Sequence, residues 1–238
     1  MVIKKDTLQG LVNFLKQTSS EINLPIKQDI GIFLSYWAFG GLGGAIINIP
    51  REAIKELTSE VVLGIDAIQF AKIIDTFDEE ELTLFVEEDT ILHIKSETQD
   101  SHIRLILPDK ENQTAFEGLK KTILPTKLIF DVEELFKVFR ITERNFGTNV
   151  WFDFDGDKKQ LEIISEKSNT GFKKRINVKK GEGIKGRAWF QTAYLLDSLT
   201  GARGEIQMEI GESLPVKFTF TVGDVQIQSF VAPRIEGD

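Results

Sequence analysis

Four times along the chain a short apolar strand runs into a polar residue, then into a stretch whose apolar positions recur at helical spacing. The openings are Val2-Ile3-Lys4-Lys5-Asp6, Val62-Leu63-Gly64-Ile65-Asp66, Leu128-Ile129-Phe130-Asp131 and Ala188-Trp189-Phe190-Gln191. Counted from the polar residue, places +1, +4, +5 and +8 hold Ala67, Phe70, Ala71 and Ile74, then Val132, Leu135, Phe136 and Phe139, then Thr192, Leu195, Leu196 and Leu199. The first stretch fits one place later, with Leu8, Leu11, Val12 and Leu15. Such spacing makes one stripe on a 3.6-residue helix, predicting four helices of about three turns, each laid by one face on a sheet. Asp6, Asp66 and Asp131 are the expected N-caps, because a carboxylate accepts hydrogen bonds from the unpaired amides of the first turn; Gln191 is a poorer cap.

The four polar residues stand 60, 65 and 60 positions apart, so two halves, each with two strand-to-helix units, repeat at 125 residues. Runs that alternate in twos follow the second helix at 82–86, 90–95 and 102–107, and the fourth at 205–210, 216–221 and 225–230. The third helix precedes strands at 149–154 and 160–164, joined at Asp155-Gly156, a hairpin signal. The fold class is therefore α+β: duplicated domains, each an antiparallel sheet system with two helices on one side. The halves are read as residues 1–107 and 127–238. Residues 108–126 form a connecting segment, with polar Asp109–Thr114 ahead of the spaced apolar Phe116, Leu119, Ile123 and Leu124.

Composition narrows the function. The 238 residues hold 29 Lys+Arg against 37 Asp+Glu, a net charge of −8, which argues against nucleic acid coating the whole surface. The charge is uneven: Asp75 to Asp89 holds eight acids and no base, whereas Lys167 to Arg187 holds eight bases and only Glu182 as an acid. There is no Cys, which removes thiol chemistry and Cys-type zinc sites and fits an intracellular compartment. No apolar run is long enough to span a membrane, and the charged start lacks a signal peptide, so no membrane partner is expected. His93, with Leu92 and Ile94 facing the other way, and His102 are expected at the solvent surface. Two histidines without Cys make no common catalytic triad or three-His metal site, so no catalytic residue, metal or cofactor is assigned.

The C-terminal run Phe230-Val231-Ala232-Pro233-Arg234-Ile235-Glu236 resembles the terminal segment of the sliding clamps of the proliferating-cell-nuclear-antigen type, found in archaea and eukaryotes. Leu214-Pro215-Val216-Lys217-Phe218, Tyr194-Leu195-Leu196, Ile49-Pro50-Arg51-Glu52 and Ile68–Ile74 are similar to other parts of that family, and the duplicated halves agree. The resemblance implies a DNA clamp fold. Three subunits would close into a ring with helices inside and sheets outside, encircling duplex DNA without sequence specificity as a processivity factor in replication and repair. It implies partners held through short peptide motifs: DNA polymerase, flap endonuclease, DNA ligase and the clamp loader. Such a protein would work at the nucleoid in an archaeon or in the nucleus of a eukaryote. The alternative is a clamp-fold interaction module, or a paralogous subunit that does not itself encircle DNA as a homotrimer.

Site residues follow on that basis. DNA would face the helix sides opposite the apolar stripes, which carry Lys137, Arg140 and Arg144 on the third helix, Lys16 and Lys72 on the first two, and Arg203 after the fourth. Glu133 could pair with Lys137 instead, and Asp75 and Asp197 share these faces. By the family pattern, partner peptides bearing a Gln and an aliphatic–aromatic plug would meet Trp37, Phe116, Leu119, Ile123, Pro215 and Phe230, Val231, Ala232, Pro233 and Arg234. Subunits would join by pairing the strand His102–Leu107, with His102, Arg104 and Ile106, to about Phe172–Val178, with Phe172, Lys174 and Ile176. Basic residues on both edges suit a heterotrimer with paralogues as well as a homotrimer, unless Asp100 and Asp109 offset them.

Overall fold

The computed structural model describes residues 1–16, 21–38, 42–108, 122–167 and 170–234. The chain divides into two units, Met1–Tyr36 with Ile46–Phe116 and Thr221–Ile227, and Trp37–Ala45 with Glu117–Phe220 and Gln228–Asp238. β3, β4, β16 and β17, defined below, contribute residues to both.

The first unit runs β1 (Val2–Lys4), α1 (Lys5–Leu15), β2 (Glu21–Lys27), β3 (Gly31–Ala38), β4 (Gly43–Pro50), a 3-10 turn at Arg51–Ala53, β5 (Ile54–Lys55), β6 (Val61–Asp66), α2 (Ala67–Asp75), β7 (Glu81–Glu87), β8 (Ile91–Lys95) and β9 (Asp100–Arg104). Five strands take the order β5-β1-β7-β8-β9, and four more the order β4-β3-β2-β6. Leu8, Leu11, Val12 and Leu15 of α1 and Ala67, Phe70, Ala71 and Ile74 of α2 are all buried, as their spacing predicts. Phe14, Phe70 and Phe77 are fully buried beside them, each burial contributing roughly 1.5–3 kcal/mol relative to exposure.

The second unit repeats the plan with β10 (Thr126–Asp131), α3 (Val132–Asn145), β11 (Asn149–Asp155), β12 (Gln160–Lys167), β13 (Thr170–Gly183), β14 (Lys185–Gln191), α4 (Thr192–Ser198), β15 (Glu205–Ile210), β16 (Val216–Val222) and β17 (Val225–Val231). Its strand order is β14-β11-β12-β13-β10-β15-β16. The internal duplication holds at the level of register. β1 pairs with β7 as β10 pairs with β15, and β2 pairs with β6 as β11 pairs with β14. The 14-residue β13 bonds β12 with its first half and β10 with its second, a task that β4 and β5 share in the first unit. Pro50 lies where that strand breaks, since proline cannot donate to a ladder.

Several expectations are corrected. Asp6 is not a cap: β1 pairing to β7 ends at Lys4 opposite Glu81, so the helix starts at Lys5 and Asp6 falls in its first turn. α4 has only seven residues, with Leu199 as its C-cap. The β11–β12 connection is a four-residue turn after Asp155, whose carboxylate accepts from the Lys158 amide at 3.0 Å, with Lys159 at φ 52°. The strand expected over 102–107 begins at Asp100 and ends at Arg104. Ile106 instead bridges β6, its amide donating to the Gly64 carbonyl at 2.8 Å. Gly64 is required there, because a Cβ would stand 2.1 Å from the Ile106 oxygen.

Candidate functional site

The helix faces come first. The Asp131 carboxylate accepts from the Glu133 amide at 3.0 Å and starts α3, which buries Val132, Leu135, Val138, Phe139 and Thr142. That rotation leaves Lys137, Arg140 and Arg144 exposed on the opposite side, and none makes an ion pair with a described residue. The alternative partner of Lys137, Glu133, makes no ion pair with it. Seven residues at 1.5 Å rise spread the three cations over about 10 Å along the helix. Ile141, 41% exposed, shares this face.

The other helices contribute less positive charge. Lys16 is the half-buried C-cap of α1, Lys72 is exposed in the last turn of α2, and Arg203 is exposed after α4. The Asp66 carboxylate caps α2 through the amides of Ile68 and Gln69, both at 2.9 Å, whereas Gln191 makes no cap bond. Asp75 accepts a hydrogen bond from Gln9, tying α2 to α1. Asp197 on α4 is half-buried, and burial, then the neighbouring Glu143 carboxylate, pushes its carboxyl up from the ordinary range.

The two sheet edges come next. β9 bonds β8 alone among the named strands, with Ile103 buried and His102 and Arg104 exposed. Beside it His93 is packed instead of free in solvent. Its side chain is 17% exposed, its ring stacks on Phe85 at 4.7 Å, and Nε2 and Nδ1 lie 2.8 Å from Glu87 and 3.5 Å from Asp100. Lys95 also reaches Asp100 at 2.8 Å, and that bond, with His93, holds the Asp100 carboxyl below its ordinary range. Asp100 is thus engaged within its own chain and does not offset the edge charge; Asp109 lies outside the described residues.

On β13, residues 171–177 bond β12 and no second strand among the described residues, and Glu134 closes that stretch by accepting the Asn177 amide at 3.0 Å. Phe172 is half-buried against Phe146 at 5.5 Å, Ile176 is core, and Lys174 is exposed. Lys173 and Arg175 face the other way and share the buried carboxylate of Glu162, at 2.6 and 3.1 Å. Glu162 thereby balances one of these two charges and leaves the edge net positive, and Lys179 is held by Glu205 at 2.7 Å.

The C-terminal segment is the third feature. Phe230 and Val231 are core, so the surface of this run is Ala232, Pro233 and Arg234, each half-buried. The Ala232 amide donates to the Leu42 carbonyl and the Arg234 amide to the Trp189 carbonyl, both at 2.7 Å. Pro215 is half-buried and Ile123 is 87% exposed. Phe116 and Leu119 lie outside the described residues, as does the side chain of Trp37, whose backbone belongs to β3. Among the described residues no cluster of three or more His, Asp or Glu side chains could hold a metal ion, and no helix is long and apolar enough to cross a membrane.

No protein-family model matches the chain, and neither does any curated protein. Among solved structures, it is similar to A. fulgidus PCNA, bound there to the C-terminal region of FEN-1, with TM-score 0.86, 18% identity and coverage of 100% of this chain and 98% of that one. Proliferating Cellular Nuclear Antigen from Entamoeba histolytica gives TM-score 0.84 at 15% identity, covering 98% of both chains. The PCNA2-PCNA3 complex from Sulfolobus tokodaii gives 0.78 at 14%, covering 98% of this chain and 99% of that one. With agreement along the whole length, the duplicated α+β units of this chain have the fold of the PCNA sliding clamps.

Proposed function

We propose that this chain is a non-catalytic subunit of a ring that encircles duplex DNA and tethers replication and repair enzymes to it. In this reading residues 1–107 and 127–238 are the two clamp domains and 108–126 connect them. The observation that carries it is a pair of strands that, among the described residues, bond a neighbouring strand on one side only, β9 in one unit and residues 171–177 of β13 in the other. A neighbour's strand can continue each, and a closed ring leaves no edge exposed. The exposed cations of α3 would then face phosphates, a contact that holds DNA without reading its sequence. Polymerase, flap endonuclease, ligase and clamp loader would dock through short peptides at Pro215, Ile123 and Ala232–Arg234; the FEN-1 segment on the similar A. fulgidus protein supports that mode. Work at the nucleoid or in the nucleus follows from this role.

A second reading has its own observation. β9 carries His102 and Arg104, while residues 172–176 carry Lys173, Lys174 and Arg175, and like charges across a strand pair are unfavourable. This favours a ring built with a paralogue whose edges are acidic, a mode supported by the PCNA2-PCNA3 complex. Solution mass tests both: a homotrimer of the 26.9 kDa chain weighs about 81 kDa. A chain that stays at 26.9 kDa alone and reaches trimer mass only with paralogues selects the second reading, and one that never trimerises refutes the ring.

A further inference from the structure

We infer that Trp151 and Trp189, stacked between Arg187 and Arg234, fix the C-terminal segment against β14 and so position the surface that receives partner peptides. The second half of this statement rests on the peptide-docking reading above. Trp151 and Trp189 are direct cross-strand partners of β11 and β14. Their rings lie 5.4 Å apart and 11° from parallel, on the sheet face opposite the buried Phe152 and Phe190. The neighbours on that face are polar, Asn149 and Asp153 along one strand and Arg187 and Gln191 along the other, so packing of the core does not demand tryptophan there.

The stack is closed by a cation at each end. The Arg187 guanidinium sits 4.3 Å from the Trp151 ring centre, and that of Arg234 sits 5.0 Å from Trp189. Arg234 is held by two further bonds, its amide to the Trp189 carbonyl at 2.7 Å and its guanidinium to the Asn149 side chain at 3.2 Å. Two strands whose tryptophans stand 38 positions apart in sequence thus converge on one residue of the C-terminal segment. Trp151, which does not touch Arg234 through this stack, acts on it through Trp189 and is a positioning residue. A segment ordered before its ligand arrives loses less entropy on binding, which raises affinity without adding a contact.

The test compares Trp151→Thr and Trp151→Phe, with Arg234→Gln as a variant that leaves the strand intact. Amide hydrogen exchange is followed at Ala232 and Arg234. Affinity is measured by calorimetry for a synthetic peptide carrying a Gln and an aliphatic–aromatic plug. Trp151→Thr and Arg234→Gln should speed Arg234 exchange about five- to tenfold, leave β10 amides unchanged, and weaken the peptide by a similar factor; Trp151→Phe should restore both. Unchanged Arg234 exchange in Trp151→Thr and Arg234→Gln overturns the inference, as does a peptide bound equally by all four proteins. If wild type binds no peptide while Arg234 exchange responds as stated, the docking reading fails and the anchoring of the segment stands.

Discussion

Replacing Glu162 with Gln removes a carboxylate that is 8% exposed and holds two cations on the β13 edge. Lys173 and Arg175 are 59% and 69% exposed, so each link takes the value of a solvent-screened pair, about 0.2–1 kcal/mol. Two links and the lost match to the buried carboxylate bring the expected loss to about 1–2 kcal/mol at neutral pH. The dependence on pH has a definite sign. The bond from Lys173, assisted by Arg175 and opposed by burial, holds the Glu162 carboxyl below its ordinary 4.5. A carboxyl lowered in the folded state stabilises fully above its unfolded value and loses that contribution as pH falls through the folded one. The gap between wild type and Glu162→Gln should therefore be constant above about pH 5 and narrow steadily below 4.5. Urea unfolding followed by tryptophan fluorescence suits the measurement, because Trp151 and Trp189 both lie in this unit. The same substitution releases two positive charges at the proposed subunit edge, so self-association should weaken at low ionic strength and recover in salt. A stability gap that is absent at pH 7, or identical at pH 7 and pH 3.5, would refute this account of the edge.

Asp66→Ala and Asp131→Ala should each cost about 0.5–2 kcal/mol in urea unfolding, whereas Asp6→Ala, which breaks no cap bond, should stay near the weaker helix-dipole range of about 0.3–1 kcal/mol. Equal losses at Asp6 and Asp66 would contradict the assignment of Lys4 as the first cap. Gly64→Ala forces the Ile106 carbonyl away and should cost about 1–3 kcal/mol, with faster amide exchange at Ile106 as the local signature. Reversing Lys137, Arg140 and Arg144 to Glu should lower clamp-dependent DNA synthesis without changing subunit assembly, whereas Glu133→Lys, next to the same face, should leave synthesis intact or raise it.

The parts of the fold that were legible in the sequence are those with a clean period. The four apolar stripes place the helices, and the alternating runs after α2 and α4 place β7 to β9 and β15 to β17. β2, β3 and β4 give no such signal. Pro25 sits inside β2, and β4 reads as a nearly continuous buried run from Gly43 to Ile47, with no polar side to mark an outer face. Asp6 misled because the cap position depends on where β1 stops pairing with β7, a contact nearly 80 residues away in sequence. The same limit applies to the candidate site. The cations of α3 follow from helical spacing alone, but the sharing of Glu162 by Lys173 and Arg175 depends on the β12–β13 register. The Trp151–Trp189 stack depends on the β11–β14 register, and the ends of β9 on the Lys95–Asp100 pairing and the Gly64 bridge. Local period is written in the chain; cross-strand partners are settled only when the sheets form.

Topological linkage to DNA tests the central claim most directly. The chain, with any paralogous subunits it needs to reach trimer mass, would be loaded by its clamp loader onto nicked circular duplex, and the circle then cut once. A closed ring stays on the circle through a high-salt wash, slides off the cut DNA, and is retained again when both ends are blocked. Protein that leaves circular and linear DNA at the same rate, or is stripped from both by salt alone, would be a surface binder, and the ring would be wrong.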